Sequence, residues 1–335
     1  MNILLSCIGK RGYIADFFRP HLHKDDLIIG TGNEEYTSGF SHCDLSFIVP
    51  PIYDADYIPA LLDLCKLYSV DALIPLLDTD IDVLSKHIKD FKLAGTTPVM
   101  LNHNISNICF DKYLTSRFFK QNGFQTPQTY VHLEEAIEDI KTGKLQFPLI
   151  VKPRFGSASI NVFHAHTLKE LDVFFHYKPN MIVQEMITGQ ECGMDICNDL
   201  EGNVLSVVPR TNIVRRFGET MQAATSNHPA LMEAGFLLAK KLAHTGPLDI
   251  DCFLKDEKVY FIELNPRFGG VYPLSHLAGA DFPGLIVQMV NGKKVKPRIG
   301  AFKPGVIMMK EYNIMQWENE AIKTTETMLL ENNAI

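Results

Sequence analysis

Long apolar runs are missing from this chain. No stretch of about 18 apolar residues occurs, which argues against a membrane-spanning helix. The opening Met1-Asn-Ile-Leu-Leu-Ser-Cys-Ile8 has no basic flank and no extended apolar core, so it reads as a first strand, not a signal peptide. Basic charge is also scarce. With 32 Lys and Arg against 39 Asp and Glu, the net charge of −7 disfavours a general nucleic-acid or anionic-membrane surface. The seven cysteines (Cys7, Cys43, Cys65, Cys109, Cys192, Cys197 and Cys252) are odd in number and contain no CxxC. That pattern excludes a disulfide framework and points to buried free thiols in a reducing cytoplasm. There is no Walker GxxxxGK[ST] and no complete GxGxxG, so neither a P-loop nor a nicotinamide site is expected. Internal repeats and low-complexity linkers are absent too, and the domains are expected to pack closely.

What remains is an ordinary globular composition, 46% hydrophobic and 21% charged, over 335 residues, enough for two or three domains. The first hundred residues alternate apolar strands and amphipathic helices. Strands are expected at Ile3–Cys7, Leu27–Gly30, Leu45–Val49 and Ala72–Pro75, with helices at Tyr13–Leu22, Ile58–Tyr68 and Ile81–Phe91. This order predicts a doubly wound parallel sheet. Gly9-Lys-Arg-Gly12 falls at the first strand-to-helix turn, where it reads either as a tight turn or as a substrate-binding turn. Asp78 and Asp80 follow a strand end, where ligands of such sheets bind; contact with an amine and helix capping are both open to them.

Beyond Asn102 a helix is expected over Phe110–Asn122 and another over Leu133–Thr142. Strands are expected to predominate up to Val290, interrupted by a helix over Pro229–His244. A strand at Val306–Lys310 and a terminal helix complete the pattern.

Two stretches carry the chemistry. In the first, Pro148-Leu-Ile-Val-Lys-Pro153 places Lys152 in an apolar strand, which is unfavourable without an anionic partner. The following Gly156-Ser-Ala-Ser159 can offer backbone N–H groups and hydroxyls to phosphate oxygens, although a flexible hairpin with a snorkelling lysine reads equally well. The second stretch pairs Gly246-Pro-Leu-Asp-Ile-Asp-Cys-Phe-Leu254 with Val259-Tyr-Phe-Ile-Glu-Leu-Asn-Pro-Arg267. Alternation puts Asp249 and Asp251 on one face of the first run, and Glu263 and Asn265 on one face of the second. The polar link Lys255-Asp-Glu-Lys258 allows an antiparallel hairpin, which would gather hard oxygen donors that suit magnesium better than zinc. Alone, such a cluster reads as a solvated acidic face. Between these stretches, Gln184-Glu185 ends an apolar strand, and Glu191 returns after the turn at Thr188-Gly189, placed to accept hydrogen bonds from ribose hydroxyls.

Taken in order, Asp111-Lys112, Val151-Lys152-Pro153 with its loop, Gln184-Glu185 to Glu191, Val208-Pro-Arg210 through Arg215-Arg-Phe-Gly-Glu219, and Ile262-Glu-Leu-Asn-Pro-Arg-Phe-Gly-Gly270 resemble the ATP-grasp superfamily. The resemblance is to its carbamoyl-phosphate-synthase-like branch of carboxylate–amine ligases. It implies an α/β and α+β molecule, with an N-terminal doubly wound pre-ATP-grasp domain (1–100) followed by a two-lobed ATP-grasp fold. The first lobe would span 101–180, the second 181–295, and an extension 296–335. By the same resemblance Lys112 and Lys152 contact ATP phosphates, and Gly156, Ser157 and Ser159 belong to a loop closing over them. Glu185, Met186 and Ile187 read adenine, and Glu191 holds the ribose. Asp251, Glu263 and Asn265 bind magnesium, with manganese as an alternative ion and Asp249 as a substitute for Asp251. Arg267 steadies an acylphosphate, and Arg210, Arg215 and Arg216 line the acceptor side. His276 reads as a structural histidine at a helix start or as a group near the acceptor.

The implied activity is ATP-dependent coupling of a small carboxylate to an amine. The alternatives are carbamoyl-phosphate or carboxyphosphate formation, and a non-catalytic nucleotide sensor. Small-molecule substrates are the expected partners, with a homodimer open, and the expected location is the cytoplasm.

Overall fold

The computed structural model describes residues 1–156, 160–216, 218–311, 314 and 323–324. The chain begins with β1 (Asn2–Ser6), α1 (Tyr13–Phe18), β2 (Ile28–Gly32), β3 (Leu45–Ile48), α2 (Tyr57–Leu67), β4 (Val70–Pro75), α3 (Asp78–Leu84), α4 (Ile88–Leu93) and β5 (Thr97–Pro98). Next come α5 (His103–Phe110), α6 (Lys112–Gln121), β6 (Thr129–Tyr130), α7 (Leu133–Lys141), β7 (Leu149–Pro153), β8 (Phe163–Ala165), α8 (Leu168–Phe175) and β9 (Met181–Glu185). It continues through β10 (Gln190–Asn198), β11 (Val204–Arg216), β12 (Glu219–Thr225), α9 (Pro229–Leu242), β13 (Gly246–Lys255) and β14 (Lys258–Asn265). The last elements are α10 (Tyr272–Leu277), α11 (Phe282–Val290), β15 (Ile307–Met309) and β16 (Lys323–Thr324).

Three sheets result among the described residues. The first is parallel, in the order β16-β3-β2-β1-β4-β5. Its central strands are apolar and buried on both faces, as parallel strands covered by helices must be. The chain moves outward from β1 to β3 and then crosses to β4 on the other side, so the strand order reverses between β1 and β4. The second sheet, β14-β13-β10-β11-β12-β15, and the third, β6-β9-β7-β8, are antiparallel.

One hydrophobic core joins the parallel sheet to the large antiparallel sheet. Ile3, Leu5 and Ile74 share it with Val208, Phe268, Tyr272 and Ile286. The four-stranded sheet has a core of its own around Leu149, Val151, Leu171 and Val183. It also meets the large sheet where Phe261 N donates to Gln125 O at 2.9 Å and Thr126 Oγ1 donates to Phe261 O at 3.0 Å.

Several helices differ from the sequence pattern. The segment Ile81–Phe91 is not one helix, because the Ser85 hydroxyl bonds to Asp82 O (2.9 Å) and reaches His103 Nδ1 (3.1 Å), ending α3 there. The expected helix Phe110–Asn122 starts later. Asp111 is extended and caps α6, while α5, capped by Asn102, precedes it. The stretch to Val290 holds α8, α10 and α11 besides α9. Phe282-Pro-Gly-Leu-Ile-Val-Gln-Met-Val290 is apolar on every side because the helix is nearly all buried, and that hides the helical period. The expected terminal helix lies outside the described residues. Among the described residues no helix is long and apolar enough to cross a membrane. All seven cysteines are unpaired.

His244, just past the C-terminus of α9, is completely buried, and neither ring nitrogen has a hydrogen-bond partner among the described residues. Burial pushes its imidazole from 6.5 down to about 3. The folded value lies below the unfolded one, so the unfolded chain takes up the proton first. The stability tied to this group is complete above pH 6.5 and is lost as pH falls toward 3, at about 1.4 kcal/mol per unit. His244→Leu is therefore expected to flatten the decline of the urea midpoint between pH 6.5 and 4 and to leave the midpoint at pH 7.5 equal or higher. An unchanged acid limb would show that His244 does not govern it.

Candidate active site

A cleft of about 810 Å³ lies between the four-stranded sheet and the β13–β14 edge of the large sheet, within the size range of small-molecule sites. Its small-lobe wall carries Lys152, which projects from β7 and is only 7% exposed. Among the described residues no carboxylate lies within 4.0 Å of its ammonium. Burial pushes Lys152 from 10.5 down to about 8; Lys112 acts in the same direction, while Glu263 and Asp251 oppose it.

Lys112 reaches the same wall because Asp111 fixes the start of α6. The Asp111 carboxylate accepts from Tyr113 N (3.0 Å) and Leu114 N (3.3 Å), and Arg154 grips it through Nε (2.8 Å) and Nη2 (2.5 Å). Lys112 N also donates to Arg154 O at 3.1 Å, tying the helix start to the strand that carries Lys152. The Lys112 ammonium then donates to Gly156 O and lies 3.3 Å from Glu263 Oε1. Arg154 is the positioning residue that the sequence did not single out. Its signal was a second cation two residues after Lys152, facing the acidic partner of the Asp111-Lys112 pair. Ser157 and Ser159 lie outside the described residues.

At the other end of the cleft are Glu185, Met186, Ile187 and Glu191. The Glu185 carboxylate is not free, since Oε2 accepts from Gln128 N at 3.1 Å. Glu191 forms an ion pair with Arg215, which also lines the cleft, and Asn212 Nδ2 lies 3.5 Å from it. Arg216 is exposed.

The hairpin of β13 and β14 forms with Asp251 opposite Glu263 and Asp249 opposite Asn265. Asp256 and Glu257, in the link, both adopt left-handed backbone conformations, with φ of 48° and 60°. The four side chains then have two different fates. Asp251 and Glu263 line the cleft. Asp249 lies beneath it, 2.7 Å from Arg210 Nη2 and 3.5 Å from Arg267 Nη1. Arg210 is 1% exposed, so it does not line the acceptor side as the sequence suggested. It pairs with Asp249 and lies 3.4 Å from Asp195 and 3.8 Å from Asp251. Gly193, opposite it on β10, makes the room: a Cβ there would lie 2.5 Å from Arg210 Nη2. Arg267 is also buried. It is shared by Asp78 Oδ2 (3.2 Å), Asn265 Oδ1 (3.2 Å), Phe268 O (3.2 Å) and Asp249.

Residues 109–271 match the family model described as ATP-grasp domain, and residues 3–99 match that of the PylC-like N-terminal domain. The chain carries an ATP-grasp domain. It is 25% identical over 244 residues to the carbamoyl phosphate synthase large chain of Thermoanaerobacter sp. (strain X514), an alignment covering 67% of this chain and 22% of that one. It is also 25% identical over 179 residues to D-alanine–D-alanine ligase A of Bacillus cereus, covering 48% and 58% of the two chains. The alignments thus span less than two thirds of either relative. Among solved structures, a biotin carboxylase–β,γ-ATP complex from Campylobacter jejuni superposes with a TM-score of 0.74 at 16% identity, over 90% of this chain and 73% of that one. That likeness shows the ATP-grasp fold.

Within the ATP-grasp domain the donor set can be tested for a divalent ion. Burial and the neighbouring Asp249, with Glu263 adding to it, push Asp251 up to about 7, so a cation between the two cleft carboxylates would relieve their crowding. For Asp249 burial acts upward, but Arg210 and Arg267 outweigh it and hold the carboxylate below its ordinary range, so it is an arginine partner and not the substitute ligand. Asn265 turns its oxygen to Arg267. No three His, Cys, Asp or Glu among the described residues converge on one point. Two carboxylates completed by phosphate oxygens and water are what magnesium accepts, so Asp251 and Glu263 fit it.

Asp78 and Asp80 do not cap α3, whose N-cap is Leu77. Asp78 binds Arg267, and Asp80 is buried under the hydroxyls of Ser6 and Tyr57, each at 2.6 Å. His276 stands at the end of α10, stacked on Phe17 with ring centroids 3.9 Å apart.

Proposed function

We propose that the protein is an ATP-dependent ligase that activates a small carboxylate as an acylphosphate and joins it to an amine. The observation that carries this reading is Lys152: a buried ammonium with no carboxylate partner among the described residues, facing a cleft of about 810 Å³ beside Lys112, Asp251 and Glu263. A polyanion in that cleft would compensate the buried cation.

Lys112 and Lys152 hold the β- and γ-phosphates, and the loop with Gly156, Ser157 and Ser159 closes over them. The backbone at Glu185, Met186 and Ile187 reads the base, and Glu191, oriented by Arg215, takes the ribose. Asp251 and Glu263 hold magnesium, with Asn265 behind them; when bound, the ion neutralises charge on the phosphates. A carboxylate oxygen attacks the γ-phosphorus and the bond to ADP breaks. The amine nitrogen then attacks the acyl carbon, phosphate leaves, and the nitrogen loses a proton. Catalysis here is positioning and electrostatics. Arg267 and Arg210, buried beside Asp78, Asp195 and Asp249, contribute by holding the cleft floor in place. Arg216, exposed at the end of β11, is left for the approach of the acid.

The test is ADP release with Mg·ATP against crossed pools of acids and amines, with mass spectrometry of any product. The ligase reading expects a product lighter than acid plus amine by one water. Glu263→Ala is expected to lower that ADP release by about 10²-fold or more with the circular dichroism spectrum unchanged. Turnover kept in this variant would remove Glu263 from the site.

A further inference from the structure

The parallel sheet reverses its strand order between β1 and β4, and ligands of such sheets bind at the carboxyl ends of the strands at that point. Here the loop after β1 delivers Arg11. The turn that aims it is tight: a Cβ on Gly12 would lie 2.2 Å from the His42 ring. Arg11 Nη1 donates to Leu76 O, just after β4, and to Phe268 O at 3.2 Å. Arg267 Nη1 donates to the same Phe268 oxygen, also at 3.2 Å, so two guanidinium groups meet at one carbonyl.

They differ in what else they hold. Arg267 is divided among Asp78, Asp249 and Asn265. Arg11 has no carboxylate within 4.0 Å among the described residues, and both of its hydrogen bonds leave from Nη1. Its Nε and Nη2, the edge that grips a carboxylate with two parallel bonds, bond to nothing among the described residues. Burial and the adjacent Arg267 both push the Arg11 guanidinium down, while Tyr13, Asp78 and Asp249 oppose them. Lys10 and Lys310 stand nearby, both drawn to Glu219. Asp78, which holds Arg267, lines a small hollow together with Glu263 and Asn265, and Glu263 also lines the cleft.

We propose that the Nε–Nη2 edge of Arg11 binds a carboxylate that does not react, so that one substrate of the ligase carries a second, spectator carboxylate, as an amino acid or a dicarboxylic acid does. This rests on the ligase reading of the cleft. ATP phosphates are not the anion meant, because Arg11 does not line the nucleotide cleft.

The experiment compares wild type with Arg11→Gln and Arg11→Lys in ADP release with Mg·ATP. The probes are pools of amino acids and dicarboxylic acids, each beside the same compounds as monocarboxamides. Wild type is expected to turn over a free acid and not its amide. Arg11→Gln is expected to raise the KM for that acid about tenfold to hundredfold, with kcat within about threefold and the KM for ATP unchanged; Arg11→Lys is expected to recover part of the loss. ADP release in wild type with the same KM in Arg11→Gln, or equal use of acid and amide, would overturn the Arg11 assignment while leaving the ligase. No ADP release by wild type from any pool would overturn both. If Arg11→Gln failed to fold, the KM in Arg11→Lys and the acid–amide comparison in wild type would still decide.

Discussion

Lys152→Met is expected to make the protein more stable and to abolish its turnover of ATP. The ammonium sits 7% exposed in an apolar strand, and burial lowers it from 10.5 to about 8. The folded value lies below the unfolded one, so the charged form favours unfolding. That penalty is complete below pH 8 and disappears as pH rises toward 10.5. Methionine keeps the stem and removes the charge, so a gain of roughly 1–3 kcal/mol is expected at pH 7, shrinking by pH 10. Urea midpoints at the two pH values measure this. ADP release should fall about 10²- to 10³-fold, because the phosphates lose a preorganised cation. Stability and activity moving in opposite directions is the signature of a charge retained for a ligand. A variant that is unchanged in both would show that the lysine does not face phosphate.

Arg210→Ala is expected to have the largest effect on folding. It removes the cation that pairs with Asp249 at 2.7 Å and lies 3.4 Å from Asp195, in a place with almost no access to water. Burial already pushes Asp195 up to about 6, and without Arg210 it would lose its nearest cation while Asp249 would keep only Arg267, at 3.5 Å. Breaking such a buried pair from one side costs about 3–5 kcal/mol. A lower urea midpoint with an unchanged slope is the expected result. Were Arg210 a substrate grip, the midpoint would hold and only the KM of the acid would rise.

These two residues show what the sequence could and could not reveal. Lys152 was legible because a lysine amid Leu149, Ile150 and Val151 conflicts with its strand, and a conflict of that kind marks a ligand. The hairpin was legible through its period of two, and its register brings Asp251 to Glu263 as alternation requires. Alternation cannot tell which pair on that face meets the cleft and which meets a guanidinium beneath it. That depends on Arg210 arriving from β11 opposite Gly193, and on Arg267 being held by Asp78 at the start of α3. The buried Asp195, alone between Met194 and Ile196, was the available hint that a cation had to be buried with it. The apolar α11 was hidden for the opposite reason, because burial on all sides erases the helical period. The doubly wound beginning was plain, since its alternating strands and helices need only local pattern.

The division of the hydrophobic cores has a mechanical consequence. The parallel sheet shares a core with β10 and β11 of the large antiparallel sheet, and β13 is hydrogen-bonded to β10, so the strand that carries Asp251 and the turn that carries Arg11 form a single anvil. The four-stranded sheet, with an interior of its own, touches this anvil through Gln125 and Thr126 on Phe261, and through Lys112 on Glu263. Tilting it about those few attachments would change the jaw width between Lys152 and Glu263 without repacking either interior. A nucleotide could then enter by a rocking of one jaw, and its own phosphates, drawing Lys152 toward Glu263 and Asp251, would set how far the jaw closes.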